Sequence, residues 1–260
     1  MVRHRIQSER EKVTRALSRV DLQTAVVLCA AALLVLIHAR YGSRRLFLDV
    51  FGPNVAADLR GLYAWGWWFV SQGILGFVIP VGILILAFKC SPREIGLGLG
   101  DWRLALIIAA IYVPIVIAGT WVLSDQVSFQ QQYPHLQSAA RSWRIFVAYE
   151  LLFLFYWIGW EYLWRGFVLF GTARSFGVNA VFVQAMPFAI LHMDKPMPEP
   201  LLALVGGVVL GAIVWRCRSF WIAVPIHAFQ MLALDLWCSL RIRTGAKGVS
   251  ATALLEALGG

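Results

Sequence analysis

Long apolar runs constrain what this chain can fold into more than any other feature of its sequence. One run covers residues 61–88 and another covers residues 143–171. A helix needs about 20 apolar residues to cross the hydrocarbon core of a bilayer. The composition agrees, because 60% of the 260 residues are hydrophobic and 14% are charged, against about 25% charged in ordinary globular domains. These values exclude a soluble enzyme and a disordered chain, and they indicate a polytopic membrane protein.

Seven apolar segments predict seven transmembrane helices in an all-α helical bundle. The length of the chain allows six to eight such helices. They lie near residues 22–39, 61–88, 103–123, 143–171, 178–193, 199–215 and 219–240. The second segment contains Pro80 and begins with tryptophans of the kind that lie at headgroup level, so it is predicted to be one kinked or tilted span. No internal repeat or linker appears, so residues 22–240 are predicted to form a single transmembrane domain.

The two ends of the chain are polar. Residues 1–21 contain six Lys or Arg and predict a cytoplasmic surface helix or a flexible basic arm, and residues 241–260 predict a polar, mobile tail. The net charge is +9, and basic residues gather in cytoplasmic loops and contact anionic headgroups. Lys and Arg on alternate sides of the seven spans number 12 and 10, which favours a cytoplasmic amino terminus. No nucleic-acid-binding signature appears, so no nucleic-acid partner is predicted.

Two short patterns resemble cofactor sites without the context that such sites need. The four cysteines show no CxxC spacing, which argues against a zinc knuckle or a redox pair. Gly96, Gly98 and Gly100 mimic part of a dinucleotide fingerprint, but no strand precedes them. We therefore predict no nucleotide cofactor.

Ionisable residues within the predicted spans are the informative ones. A charged side chain at mid-bilayer costs at least about 2.5–3.5 kcal/mol on insertion scales, so such residues usually face the bundle interior and mark a function. The candidates are Glu150, Glu161, Arg165, His192, His227 and Asp235. Glu161 and Arg165 are spaced and ordered for a helical ion pair, which fits a salt bridge that pins helices together as well as a functional site.

Three of the candidates are predicted to lie at one depth. Counted from the nearest span end at about 1.5 Å per residue, Glu161, His192 and His227 lie roughly 12–18 Å below the amino-terminal face, and are expected to be reached from there. A carboxylate and two imidazoles can activate water for hydrolysis, or bind a catalytic zinc ion as His₂Glu ligands. The helical zinc motif HExxH is absent, and the residue types alone do not separate these chemistries.

The remaining candidates lie further from this layer. Glu150 is about three helical turns from Glu161, and Asp235 is similarly far from His227. We interpret both as supporting or helix-pinning groups. His38 and His135 lie at a span end and in a loop, and we interpret them as ordinary interfacial residues.

The residues of this layer resemble the CAAX prenyl endopeptidase type II or Abi family of intramembrane proteases. The family's EExxxRG motif is matched by Trp160-Glu161-Tyr162-Leu163-Trp164-Arg165-Gly166, and its FxxxH motif by Phe188-Ala-Ile-Leu-His192. A small-residue span, a turn and a histidine helix follow over residues 206–230 and contain His227. The resemblance covers about residues 143–235 and implies a protease-like core at residues 143–240.

Two positions depart from the family pattern. The family's first motif glutamate is often assigned as the base that activates water, and this chain has Trp160 at that position. The family commonly has Asn or Asp four residues after the last histidine, and this chain has Met231 there. Either Glu161 takes over the role of the base or the peptidase activity is lost. Asp235 lies one turn beyond Met231 and would substitute for it only in a distorted helix.

Carried over position by position, the resemblance implies a catalytic set of four residues. Glu161 and His192 would activate the attacking water, Arg165 would orient the glutamate, and His227 would stabilise the oxyanion. Zinc dependence stays open, and Glu161, His192 and His227 would be the ligands if zinc is bound. The protein would then be an endopeptidase of a prokaryotic cytoplasmic membrane, acting on a membrane-associated protein or peptide that enters from the cytoplasmic side or from lipid.

Two rival hypotheses remain at this stage. The first is a catalytically silent family member that binds a partner or confers bacteriocin immunity, and Trp160 and Met231 motivate it. The second is a small-solute transporter, which inverted repeats and discontinuous helices would favour. No repeat is visible in the sequence.

Overall fold

The computed structural model describes residues 2–17 and 20–259, which form an all-α bundle that contains no β-strand. The helices are α1 (Val2–Leu17), α2 (Leu22–Tyr41), α3 (Arg44–Val50), α4 (Arg60–Ala87), α5 (Trp102–Leu123), α6 (Val127–Gln132), α7 (Trp143–Gly171), α8 (Ala180–Ile190), α9 (Glu199–Cys217), α10 (Ala223–Thr244) and α11 (Ala251–Leu258). The π-helical segments Ile74–Val78, Ile83–Ala87 and Tyr162–Val168 interrupt α4 and α7. Short connecting turns are Gly52–Asn54, Ala139–Arg141, Ala173–Phe176, Gly177–Asn179 and Phe220–Ile222.

Six helical stretches in the described part of the chain are long and apolar enough to cross a membrane. They contain α2, α4, α5, α7, α9 and α10. Their outer surfaces carry many exposed large hydrophobic side chains, as expected where a helix contacts lipid rather than water. The predicted all-α membrane bundle is therefore confirmed, and the protein is an integral membrane protein.

The connecting loops lie on two opposite faces of the bundle. On the amino-terminal face, the backbone N–H of Asp21 donates to Ser175 Oγ at 3.1 Å, and that of Phe220 donates to the carbonyl of Gly96 at 3.0 Å. On the opposite face, Arg243 Nε donates to the carbonyl of Ala140 at 2.7 Å. The carboxyl-terminal end of α10 and the loop at residues 124–142 therefore lie together on the face opposite the amino terminus.

The fifth predicted span differs from the expectation for residues 178–193. Its helix, α8, has eleven residues, which at 1.5 Å per residue is roughly 16 Å, about half of a bilayer core. Pro187 lies inside α8 and lacks the N–H that would bond to the preceding turn. The chain then turns through residues 191–198 before α9 begins at Glu199.

The two polar ends contain helices. The basic segment at residues 1–21, predicted to be a surface helix or a flexible arm, is helical over Val2–Leu17, with Ile6 and Val13 exposed. Within residues 241–260, predicted to be a polar, mobile tail, α10 continues to Thr244 and α11 packs against Trp121 and Trp237. Alanine side chains on one face of α11 make this docking close, which composition alone does not reveal.

Helix α7 forms the centre of the bundle. Every residue from 159 to 172 is buried, including a run of aromatic rings. Helix α4 crosses α7 at Gly76 and Gly159, and a Cβ atom on either glycine would collide with backbone of the other helix. This close approach lets Phe69 stack on Phe153 with ring centroids 4.4 Å apart.

Arg241 anchors the carboxyl-terminal segment to the rest of the bundle. Its guanidinium is 3.7 Å from the ring centroid of Trp121, and it donates to Ser124 Oγ at 2.8 Å and to Asp125 Oδ1 at 3.1 Å. Two further bonds reach the carbonyls of Ala246 and Gly248. One fully buried side chain therefore connects α10, the loop after α5 and the segment that leads into α11.

We predict that Arg241→Met destabilises the protein by about 3 kcal/mol or more, because it leaves buried acceptors without their donor. Thermal unfolding in detergent measures this loss, and limited proteolysis should cut within residues 246–258 first. The control is Lys247→Met at an exposed position, with an expected change of about 0.5 kcal/mol or less. Equal stability of the two variants would contradict the anchoring role.

Candidate active site

The candidate site begins where α7 changes from α-helix to π-helix. Glu161 is the last α-helical residue, and the π-helical segment Tyr162–Val168 follows it. Such segments are rare and occur frequently at functional sites. Gly166 permits the segment here, because the ring of Tyr162 lies where a Cβ atom at this position would be. The local sequence thus holds Arg165 within reach of Glu161.

Glu161, Arg165 and His227 form one buried cluster. Glu161 Oε1 accepts a hydrogen bond from Arg165 Nη1 at 3.1 Å and another from His227 Nδ1 at 2.6 Å. Glu161 and Arg165 have no exposed surface, and His227 is 9% exposed. The structure therefore brings together three of the four site residues predicted from sequence.

The charges of Glu161 and Arg165 balance each other inside the bundle, where neither charge would be solvated on its own. The Arg165 guanidinium also lies over the ring of Phe188, 4.0 Å from its centroid, in a cation–π arrangement. Glu161 Oε2 and Arg165 Nε have no hydrogen-bond partner among the described residues. The carboxylate therefore keeps one oxygen available for a further donor, such as a water molecule.

The ring of His227 is held from two sides. It packs against Trp157 with ring centroids 4.2 Å apart, while its Nδ1 contacts Glu161. Because a carboxylate only accepts hydrogen bonds, the Nδ1 atom carries the proton. The Nε2 atom on the far edge of the ring is left without a partner in the described structure.

His192 lies two residues beyond the end of α8, in the middle of the bundle. Its Nδ1 donates to the carbonyl of Phe188 at 2.7 Å, and this contact assigns the Nε2 lone pair to the opposite edge of the ring. The ring is partly exposed, unlike Glu161. His192 therefore carries its proton on Nδ1 and presents Nε2 as an accessible acceptor.

Trp160 and Phe188 separate His192 from the Glu161 cluster. The ring centroid of His192 is 4.6 Å from that of Phe188 and 6.3 Å from that of Trp160. No hydrogen bond joins His192 to Glu161 or His227 in the described structure. The structure thus places His192 beside the cluster, with the aromatic rings of Trp160 and Phe188 between them. Trp160 occupies the position of the family's first motif glutamate.

The other ionisable candidates lie outside this cluster. Asp235 is fully buried, and both of its oxygens and one of Glu150 lack hydrogen-bond partners among the described residues. Neither carboxyl group forms a hydrogen bond with Glu161 in the described structure. Met231 is buried and carries no donor. The interpretation of Glu150 and Asp235 as supporting groups stays a prediction.

A second polar network was not predicted from the sequence. Tyr133 Oη donates to Glu199 Oε2 at 2.6 Å, and Lys195 Nζ donates to Tyr133 Oη at 3.2 Å and to His135 Nε2 at 3.1 Å. Burial and the Lys195 ammonium lower the pKa of His135 to about 3, so this ring is neutral and accepts. The network connects the loop that follows His192 to the loop at residues 124–142.

One sequence signal for this network is the presence of charged residues shortly after His192. Lys195 and Glu199 follow His192 within seven positions of a proline-rich stretch, where charged residues beside a deep histidine suggest a polar connection. His135, interpreted as an ordinary interfacial residue, stacks on Trp65 with ring centroids 5.3 Å apart. The contact depends on how the loop at residues 124–142 folds back onto α4, and the local sequence pattern does not predict this.

The donor set does not fit a zinc ion as it is arranged. No group of three or more His, Cys, Asp or Glu side chains in residues 5–14 and 20–259 is placed to hold a metal. Glu161 Oε1 already accepts two hydrogen bonds, and His192 lies across Phe188 from that carboxylate. We therefore derive the chemistry of this site from the carboxylate and the imidazoles.

The fold and this geometry define an integral membrane bundle with a buried Glu–Arg–His cluster and a second histidine nearby. Residues 142–233 match the family model described as type II CAAX prenyl endopeptidase Rce1-like. The resemblance inferred from the motifs is thereby confirmed for this region, which is similar to a family whose members are generally membrane proteases. No curated protein and no solved structure matches the chain.

We predict that Arg165→Met destabilises the protein by about 3–5 kcal/mol, because it leaves Glu161 with an uncompensated buried charge. The double replacement Arg165→Met with Glu161→Met should cost less than the sum of the single changes. Unfolding in detergent micelles provides the double-mutant cycle.

The control is the exposed ion pair between Arg45 and Asp49, which has the same i,i+4 spacing and side chains that are 92% and 69% exposed. Its replacement should change stability by about 1 kcal/mol or less. Additive costs at Arg165 and Glu161 would contradict their coupling.

Proposed function

We propose that the protein is an intramembrane endopeptidase that hydrolyses a peptide bond of a membrane-associated protein or peptide. The observation that carries the proposal is the pairing of Glu161 with His227 beside a partly exposed His192 whose Nε2 is unpartnered. This arrangement offers a proton acceptor and a charge-stabilising group at one depth. Similarity of residues 142–233 to a family of membrane proteases supports it.

In the proposed reaction, water attacks the carbonyl carbon of the peptide bond. The water proton passes to the His192 Nε2 or to the free oxygen of Glu161, and a tetrahedral intermediate forms. His227, held by Glu161, stabilises the oxyanion. The carbon–nitrogen bond then breaks, and the leaving amine takes the proton, so that one water yields a carboxylic acid and an amine.

Arg165 acts in this scheme without touching substrate. Its ion pair with Glu161 balances the carboxylate within the bundle, and the carboxylate in turn holds the ring of His227 through its Nδ1. Trp160 replaces the family's first motif glutamate, so the acceptor role falls on the groups that remain. The substrate's identity and any prenyl group on it lie outside this proposal.

We predict that Glu161→Gln and His192→Ala each lower kcat/KM by about 100-fold or more, the range that positioned acid–base groups contribute. The assay uses purified protein in proteoliposomes with a quenched-fluorescent peptide library. The control is Glu94→Gln on the amino-terminal face, where the side chain contacts Ser91 rather than the cluster. Full turnover in both site variants would refute the proposed chemistry.

A catalytically silent binding or immunity protein is the second candidate function. The observation that favours it is the presence of two aromatic rings, those of Trp160 and Phe188, between His192 and Glu161. In that case the purified protein is inactive toward peptides, and Glu161→Gln and His192→Ala leave the cellular phenotype intact.

We further propose that substrate reaches the site from lipid or from the face opposite the amino terminus. On the amino-terminal side, Phe167, Phe170 and Phe220 are buried in continuous packing. Beyond His192, by contrast, Leu191 and Met193 are exposed. This route replaces the expectation of entry from the amino-terminal face, which rested on depth alone.

Cysteine labelling tests the route and the proposed cytoplasmic amino terminus together. In a variant without native cysteines, Asp194→Cys should react with an impermeant maleimide from the same side as Asp58→Cys and not as Glu94→Cys. If the amino terminus is cytoplasmic, Glu94→Cys reacts only in inside-out vesicles. Labelling of Asp194→Cys and Glu94→Cys from one side would contradict the route.

A further inference from the structure

Two uncharged polar residues deep in the bundle have no role in the proposed reaction so far. Tyr112 lies on α5, and Gln230 lies on α10, three residues after His227. The Tyr112 hydroxyl donates to Gln230 Oε1 at 2.5 Å. His227 in turn contacts Glu161 through its Nδ1 at 2.6 Å. This pair therefore belongs to the surroundings of the site.

The bond from Tyr112 fixes which end of the amide is free. The oxygen of Gln230 is occupied by the phenol, so its Nε2 group points away with two hydrogens to donate. That nitrogen has no hydrogen-bond partner among the described residues, although Gln230 is only partly exposed. The nitrogen retains accessible surface, so it is open to a ligand or a water molecule. A ligand or water bound beside the helix would satisfy it.

The position of Gln230 aligns this donor with His227. Residues three apart on a helix have Cβ atoms roughly 5–6 Å apart on one face. The unpartnered Nε2 of His227 and the free amide of Gln230 thus come from consecutive turns of α10. Met231, the next residue, is buried and donates nothing.

Hydrolysis of a peptide bond requires preorganised donors where negative charge develops on the carbonyl oxygen. We propose that the Gln230 amide donates to this oxyanion together with His227, and that Tyr112 is a positioning residue that orients the amide. The inference rests on the proposed function and extends it. It assigns the second oxyanion donor to a position that the family motifs do not mark.

The test compares Gln230→Leu with wild type in the proteoliposome peptide assay. Loss of one oxyanion donor should lower kcat about 100-fold with KM changed little. Tyr112→Phe should lower kcat less, because the amide remains but is no longer oriented. Adding Met231→Asn to Gln230→Leu should restore at least part of kcat, because it places an amide one position further along the helix.

A readout without turnover separates this inference from the proposed function. A peptide aldehyde, whose hydrate carries a tetrahedral carbon, should bind Gln230→Leu about ten-fold more weakly than wild type by isothermal titration calorimetry. Ile226→Leu is the control on the preceding turn and should bind as wild type does. An inactive wild type refutes the proposed function, whereas unchanged kcat or unchanged aldehyde affinity in Gln230→Leu overturns the role of Gln230.

Discussion

The interaction on which the rest of this structure depends is the buried contact of Glu161 with Arg165 and His227. A charge inside a bilayer is tolerated only when it is paired and faces the protein interior. The pair lies on α7, and the histidine comes from α10, so the contact determines the rotation of two helices about their axes. The other helices pack around this arrangement, and the crossing of α4 at Gly159 lies two residues away.

The site also requires departures from regular helix. The π-helical segment after Glu161 changes the side-chain directions on α7 and brings Arg165 toward the carboxylate. Helix α8 ends early, so that His192 lies on an irregular segment rather than on a helix face. Aromatic side chains fill the space between these elements and separate the two histidines. Together these features bring Glu161, Arg165 and His227 into contact inside the bundle.

Much of the fold was predictable from sequence, because apolar runs of bilayer length leave few alternatives. The pairing of Glu161 with Arg165 was predictable from their spacing, whereas the common depth of His192 and His227 stays a prediction. The length of α8 was not predictable in the same way, since Pro187 and the turn after it end a helix that the apolar run alone would continue. The docking of α11 and the folding back of His135 depend on contacts between distant segments, which leave no periodic pattern in the sequence.

The early end of α8 has a consequence for the position of His192. A helix end leaves backbone carbonyl groups without intrahelical partners, and the hydrocarbon core offers nothing to satisfy them. Where α8 stops, the chain itself satisfies these groups: the backbone N–H groups of residues 191–193 donate to the carbonyls of Pro187, Ala189 and Ile190, and His192 Nδ1 donates to that of Phe188. The histidine that the proposed reaction uses is therefore also a capping group of the broken helix, and this second duty fixes the orientation of its ring.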